Sequence, residues 1–241
     1  MRTDVMGVGV DNVTLEEALD RAEQLLTSPA GAYAVTPNAE ILYDAMHDPA
    51  LTDLLNRADL VLPDGAGVVL GAKLLGTPLK GKVAGIDFAA ALAGRLASSG
   101  GRLYLLGSKP GVAETAGEKL RERYPGLNIC GTADGYFKEE APVIEKILAA
   151  RPDVLFVCLG APKQEYFMSA HREELKSVGL MIGLGGSLDG FAGNVRRAPK
   201  WMIRCNLEWL YRLILEPKRI GRMMRLPKFV LAVLKRRVTG K

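Results

Sequence analysis

From Ala32 onward the chain alternates short, unbroken apolar runs with stretches whose apolar residues return every three or four positions. The runs read AYAVT (32–36), LVLP (60–63), RLYLLG (102–107), VLFVCLG (154–160) and LMIGLGG (180–186), each followed by loop residues and then an amphipathic segment. A strand covered on both faces has no polar side to show, so unbroken runs of this length fit the inner strands of a parallel sheet. The amphipathic segments then supply the covering helices. The rhythm predicts an α/β, Rossmann-like fold, a parallel sheet with helices on both faces. Local signals place several helices. Thr14 and Glu17 form a capping box ahead of ALDRAEQLL. A second helix starts after Asn38 with Ile41, Leu42 and Ala45 on one face, and VIEKILAA, beyond Pro142, leads through RPD into VLFVCLG.

In an open parallel sheet ligands sit beyond the carboxyl ends of the strands. Here those ends read TPN (36–38), PDG (63–65), GSKPG (107–111), GAPKQE (160–165) and GGSLDG (185–190), so polar and glycine-rich loops converge on one rim. GSKPG lies between a strand and a helix start, where backbone N–H groups and the helix dipole accept phosphate and Lys109 adds charge. It is not a Walker A loop, and no GxGxxG is present. The alternative is that Gly107 and Gly111 merely serve a tight turn. Asp64, between Pro63 and Gly65, is placed to take a proton from an attacking hydroxyl, or else to satisfy turn donors. Thr36 and Asn38 offer a hydroxyl and an amide to the same space. Gln164, at a helix start, can read sugar hydroxyls or cap its helix.

Charge changes the picture at the C-terminus. Residues 201–241 hold eleven Lys or Arg against two Glu, a local charge of +9, whereas the whole chain is +5 and the first two hundred residues are therefore −4. Apolar pieces, Leu213 to Leu215, Met223 with Met224 and Phe229 to Leu234, alternate with these cations. Such a segment predicts a basic amphipathic helical appendage that works at an anionic membrane surface, and none of its pieces is long enough to span a bilayer. A solvated helix face and nucleic-acid contact are the alternatives, the latter without any supporting RNA-binding or zinc signature. The expected division is a Rossmann-like core over 1–195 and a membrane-engaging appendage over 196–241, with breaks at Pro199 and Pro217. A core that folds by itself and a self-associating protein in solution, its apolar tail covered by another copy, follow from that division.

Other chemistries lack their residues. No DxD triplet occurs, His47 and His171 stand alone in helical stretches, and no GxSxG elbow exists, so neither a metal nor a serine nucleophile is expected. Cys130, Cys158 and Cys205 show no CxxC or zinc spacing, and Cys158 inside VLFVCLG reads as a small buried hydrophobe in a reducing compartment. The N-terminal twenty residues lack an apolar signal region, which makes the cytoplasm the expected location.

With these loops assembled, the sequence resembles the WecG/TagA/CpsF family of bacterial glycosyltransferases, glycosyltransferase family 26. The resemblance runs from about Thr36 to Arg222 through TPNAEIL, ADLVLPDGAGVV, VAGIDF, LYLLGSKPGVAE, YPGLNICGTADGYF, LGAPKQE, GLGGSLDGFAG with RAPKW, and LEWLYRLILEPKRIGR. It is greatest to the TagA branch, which transfers N-acetylmannosamine from UDP to lipid-linked N-acetylglucosamine in wall teichoic acid synthesis. The resemblance implies an inverting, metal-independent enzyme without cofactor, with a UDP-sugar as donor and an undecaprenyl-diphosphate-linked sugar as acceptor, peripheral on the inner face of the cell membrane. It implies that Asp64 is the base, that Thr36, Asn38 and Gln164 line the sugar site, and that Gly107, Ser108, Lys109, Gly111, Tyr136, Gly185, Gly186 and Asp189 form the UDP side. Arg212, Arg219 and Arg222 would meet the acceptor diphosphate. Lys82 stands where the family usually has Arg, keeping the charge without the bidentate fork. Another UDP-sugar, such as UDP-N-acetylmannosaminuronic acid or UDP-glucose, and a non-catalytic nucleotide- or nucleic-acid-binding module are the alternatives.

Overall fold

The computed structural model describes residues 1–27, 30–195, 197–215 and 220–239, without the side chains of Lys200, Arg212 and Arg222. The expected boundary residue Arg196 and Arg219 lie outside the described residues, as do the side chains of Arg212 and Arg222.

The chain begins with an antiparallel hairpin, β1 (Arg2–Val5) and β2 (Val8–Asp11), closed by Met6 and Gly7 with positive φ at both positions. Asp11 ties this hairpin to the main sheet, accepting from Arg2 and from the Val61 N–H at 2.8 Å. The main sheet is parallel throughout. It contains β3 (Ala32–Val35), β4 (Leu60–Val61), β5 (Arg102–Gly107), β6 (Asn128–Ala133), β7 (Val154–Cys158) and β8 (Leu180–Gly183), in the order β4-β3-β8-β7-β5-β6. All the apolar runs read from the sequence are strands of this sheet, so the α/β expectation holds. From β5 the chain moves outward to β6, while from β7 it moves inward to β8. Their carboxyl ends thus part at a switch point, the place where such sheets open a ligand crevice.

Strand side chains alternate between two cores, as a period of two requires. Tyr33, Val35, Leu106, Leu155, Val157 and Met181 face one, together with α2 (Ala39–Ala45), α3 (Pro49–Arg57), α4 (Ala66–Leu74), α7 (Ala141–Ala150) and α8 (Lys163–Ala170). Ala32, Ala34, Leu105, Phe156 and Ile182 face the other, with α1 (Leu15–Leu26), α5 (Gly85–Ser99), α6 (Val112–Arg123) and α9 (Ser187–Ala192). The Thr14–Glu17 capping box is formed in full at the start of α1.

The C-terminal segment holds α10 (Lys200–Arg204), α11 (Glu208–Leu215), α12 (Ile220–Met223) and α13 (Arg225–Thr239). A C-terminal basic helix was expected, but one of its faces has another use. Phe229 and Val233 of α13 are fully buried in the first core, against α2 and α4. Two glycines one turn apart on α4 let the helices meet: a Cβ at Gly67 would lie 2.8 Å from Leu226 Cδ1, and one at Gly71 2.9 Å from Phe229 Cε1. Ion pairs from Arg225 to Asp44 (2.8 Å) and from Arg236 to Asp4 (3.2 Å) flank the contact. Apolar residues of the tail read from sequence as membrane-facing are therefore partly core residues. The opposite side of α13 exposes Leu231, Leu234 and Val238 beside Lys228, Lys235 and Arg237.

Candidate active site

The strand-end loops do meet. Thr36, just past β3, donates its hydroxyl to the Gly183 carbonyl at 2.8 Å, joining the ends of β3 and β8. Asn38 caps α2, its Oδ1 accepting from the N–H groups of Glu40 (2.9 Å) and Ile41 (3.0 Å), a role the sequence did not single out, and only the Nδ2 end is left outside the cap. Asp64 follows β4 and stands two residues before α4; its N–H reaches the Pro37 carbonyl at 3.3 Å, which sets it beside the TPN loop. Lys82 precedes Val83, whose N–H bonds to the Pro63 carbonyl at 2.9 Å, next to Asp64. The Lys82 ammonium donates to the Ile203 carbonyl at 3.3 Å, in the last turn of α10, where a helix end welcomes a cation.

Gln164 is more enclosed than a sugar-reading amide at an open rim, at 2% exposed. Its Oε1 accepts from the Gly185 N–H at 2.8 Å, and its Nε2 donates to Glu165 Oε1 at 2.8 Å. It braces the loop after β7 against the loop after β8.

The phosphate-loop candidate is built by close backbone approach. A side chain at Gly107 would overlap the Cys158 carbonyl, so only glycine lets β5 run flush against β7 here. Ser108 then donates its N–H to that carbonyl at 3.1 Å and its hydroxyl to Asp189 Oδ2 at 2.8 Å, while its own carbonyl accepts from the Gly135 N–H at 2.9 Å. These bonds gather Ser108, Asp189 and the loop carrying Tyr136 around one point; Tyr136 is 67% exposed. Gly111, the N-cap of α6 with φ 83°, offers no side chain to cap the helix, so beyond the Val112 N–H, which the Lys109 carbonyl takes at 3.1 Å, the N-terminal turn of a twelve-residue helix has no side-chain cap. That is the arrangement that accepts a phosphate. Gly185 and Gly186 lead into α9, which holds Asp189.

The rim therefore joins two groups of residues. Thr36, Asn38, Asp64 and Gln164 stand past the ends of β3, β4 and β7, and Gly107, Ser108, Gly111 and Asp189 stand at or beyond the end of β5 and on α9. The segment from Gly183 to Gly186 runs between them. A cavity of about 550 Å³ between α1 and α5, bordered by Glu16, Glu23 and Arg95, lies elsewhere and is an open charged groove. A smaller one of about 110 Å³ lies beside Ala161 and Pro162, bordered by Asp44 of α2 and Arg225 of α13.

Two features escaped the sequence reading. Arg197 makes paired bonds of 2.5 Å to both oxygens of Asp87 in the first turn of α5. Those bonds push its pKa up, and Glu208 and Asp64 add to the effect against burial, so Arg197 lies within electrostatic reach of Asp64. The signal was the charged pair left unexplained within GIDF and RAPKW. The second is Glu165, fully buried, with burial pushing its carboxyl up. Cys158 is buried as expected, and desolvation raises its thiol to about 12, which makes it inert.

Residues 3–241 match the glycosyl transferase WecG/TagA/CpsF family. Over 206 residues, 85% of this chain and 79% of the relative, the sequence is 45% identical to an N-acetylglucosaminyldiphosphoundecaprenol N-acetyl-beta-D-mannosaminyltransferase of Bacillus spizizenii W23. A protein of the same name from Bacillus subtilis 168 is 41% identical over 93% of this chain and 88% of its own length. One from Staphylococcus aureus NCTC 8325 is 32% identical over 97% and 92%. With the match spanning nearly every residue and the strand-end loops gathered on one rim, the chain belongs to the WecG/TagA/CpsF family of glycosyl transferases.

Proposed function

We propose that the protein transfers N-acetylmannosamine from UDP-N-acetylmannosamine to the 4-hydroxyl of N-acetylglucosamine on diphospho-undecaprenol, forming a β-1,4 bond in wall teichoic acid synthesis. The relatives' shared name across nearly the whole chain carries this reading. In the step, Asp64 takes the proton of the acceptor 4-hydroxyl as that oxygen bonds to the anomeric carbon with inversion. The bond from that carbon to the UDP oxygen breaks, and its electron pair leaves with UDP. The α6 amides and Lys109 stabilise the departing diphosphate, an effect that grows in a site shielded from water. Asn38 frames the sugar, Thr36 and Gln164 hold the 183–186 loop beneath it, and Arg212, Arg219 and Arg222 are assigned to the acceptor diphosphate.

No metal enters this proposal. Positive charge from Lys109, the loop amides and the tail arginines replaces it. Activity undiminished by EDTA is expected; complete loss restored by Mg²⁺ or Mn²⁺ would overturn that part.

The lipid acceptor implies work at the inner membrane face. No described helix is long and apolar enough to cross a membrane. The exposed side of α13, with Leu231, Leu234 and Val238 among Lys228, Lys235 and Arg237, fits an anionic surface. Each such cation contributes about 1 kcal/mol there. Trp201, Trp209, Ile214 and Met224 are exposed as well, and we assign self-association in solution to these apolar residues of the C-terminal segment. The deciding experiment follows UDP release with a soluble N-acetylglucosamine-diphosphate lipid and a panel of UDP-sugars. Turnover with UDP-N-acetylmannosamine well above the others is expected. A preference for UDP-glucose or UDP-N-acetylmannosaminuronic acid would replace the donor, and no turnover with any donor would favour a binding module.

A further inference from the structure

Glu165 is an acid in an apolar place. It is fully buried on α8, its Oε1 accepts from Gln164 Nε2 at 2.8 Å, and its Oε2 has no hydrogen-bond partner. A buried carboxyl with one oxygen unmet costs stability that a methionine or leucine of similar volume would not. Burial pushes its pKa up, which favours the neutral acid, and a proton on Oε2 keeps Oε1 a pure acceptor. Costs of this kind gather where function demands them.

The arrangement around Gln164 says what is obtained. A glutamine amide turned over by half a rotation exchanges its oxygen for its NH₂ group at little steric cost. Here two neighbours demand the same orientation: the Gly185 N–H needs the oxygen, and Glu165 Oε1 needs the NH₂. The strand end is also tight, since a Cβ at Gly183 would fall 2.9 Å from Gln164 Nε2. Thr36 holds the Gly183 carbonyl on one side while Gln164 holds the Gly185 N–H. The segment between them leads directly into α9 and Asp189. We infer that Glu165 is a positioning residue which, by orienting the Gln164 amide, fixes the 183–186 loop beneath the transferred sugar. The inference rests on the proposed sugar transfer for its kinetic readout, though not for its structural one.

The test compares Glu165→Met, Glu165→Gln, Gln164→Ala and the double variant Gln164→Ala with Glu165→Met. For each, kcat and KM for UDP-N-acetylmannosamine, UDP affinity, melting temperature and hydrogen exchange at the Gly185 amide are measured. E165M removes the acceptor, so kcat should fall about tenfold or more, as a misplaced reacting group implies. Its UDP affinity should hold within about twofold and its melting temperature should stay level or rise, while Gly185 exchange accelerates about tenfold. E165Q keeps an acceptor oxygen and should stay within about threefold of the parent in kcat. In the double variant kcat should be no lower than in Q164A alone, because both changes remove one linkage. Parent-like kcat and Gly185 exchange in E165M would overturn the inference. So would parallel loss of turnover, UDP affinity and melting temperature, or strictly multiplicative losses in the double variant. If E165M fails to fold, E165Q decides: parent-like turnover supports the acceptor role, and a folded E165Q with less than about a tenth of it refutes that role. A parent enzyme without transfer counts against the sugar-transfer reading, and Gly185 exchange then still tests Glu165.

Discussion

Truncating Phe229 separates the two faces of α13. Its ring is fully buried against Gly71 of α4, in a core shared with Leu42, Val68 and Ala72. Phe→Ala in a filled core costs about 3–5 kcal/mol through lost transfer energy and the cavity left behind. In a chain of this size each kcal/mol moves the melting temperature by about 2–4 °C, so Phe229→Ala should melt about 6–20 °C lower. The contrasting variant is Leu231→Ala, two residues away and 66% exposed. It should change stability by less than about 0.5 kcal/mol, yet weaken sedimentation with anionic vesicles. Calorimetry on both, with vesicle co-sedimentation at rising salt, reads the two effects separately. Removal of everything after residue 196 should combine them, because the uncovered faces of α2 and α4 would meet water. The expectation of a self-sufficient core over 1–195 is thereby put to a direct test. If Phe229→Ala melts within about 2 °C of the parent, α13 does not pack on the core and the argument fails.

That helix marks the limit of what pattern alone conveys. Its amphipathic period was legible, but a period says only that one side is apolar, and lipid and protein core satisfy it equally. The deciding feature sat elsewhere, in the one-turn spacing of Gly67 and Gly71 on α4. The inner strands were legible because burial on both faces forces unbroken apolar runs. Edge strand β6 was not read: of NICGTA only Ile129 is buried, Asn128 is exposed and the other four are half-buried, so no unbroken apolar run marks it. Nor was the β1–β2 hairpin, whose Met6-Gly7 turn replaces the usual Asn-Gly signal. At the site, the strand-end rule located the loops, and Ser108 and Asp189 proved to touch. What a side chain does within a loop depended on partners far along the chain, as with Arg197 and Asp87, 110 residues apart. Gln164 shows the same: its sequence position signals a rim residue, whereas its bonds make it a brace.

Three further outcomes are expected. Asp64→Asn should lower turnover at least about a hundredfold with UDP affinity nearly intact, as loss of a general base does; near-parent turnover in a folded variant removes Asp64 from that role. At pH 8 a thiol raised to about 12 remains neutral, so Cys158 should resist iodoacetamide in the native protein while exposed Cys205 is alkylated, as mass spectrometry of the digested protein would record. The last concerns Asp87, which engages both arms of the Arg197 guanidinium. Asp87→Asn retains the shape but loses the charge, and the guanidinium is then drawn more strongly to the other carboxylates that act on it, Glu208 and Asp64, where at Asp64 it competes with the acceptor's proton. Because the pair is partly exposed, its loss should cost less than about 1 kcal/mol of stability, so a fall in kcat of about tenfold with little change in melting temperature is expected. Adding Arg197→Gln removes the competing cation and should restore part of the rate, provided that Arg197 itself touches no substrate. Turnover of Asp87→Asn equal to the parent would refute the competition, and a double variant slower than Asp87→Asn would instead place Arg197 on the diphosphate.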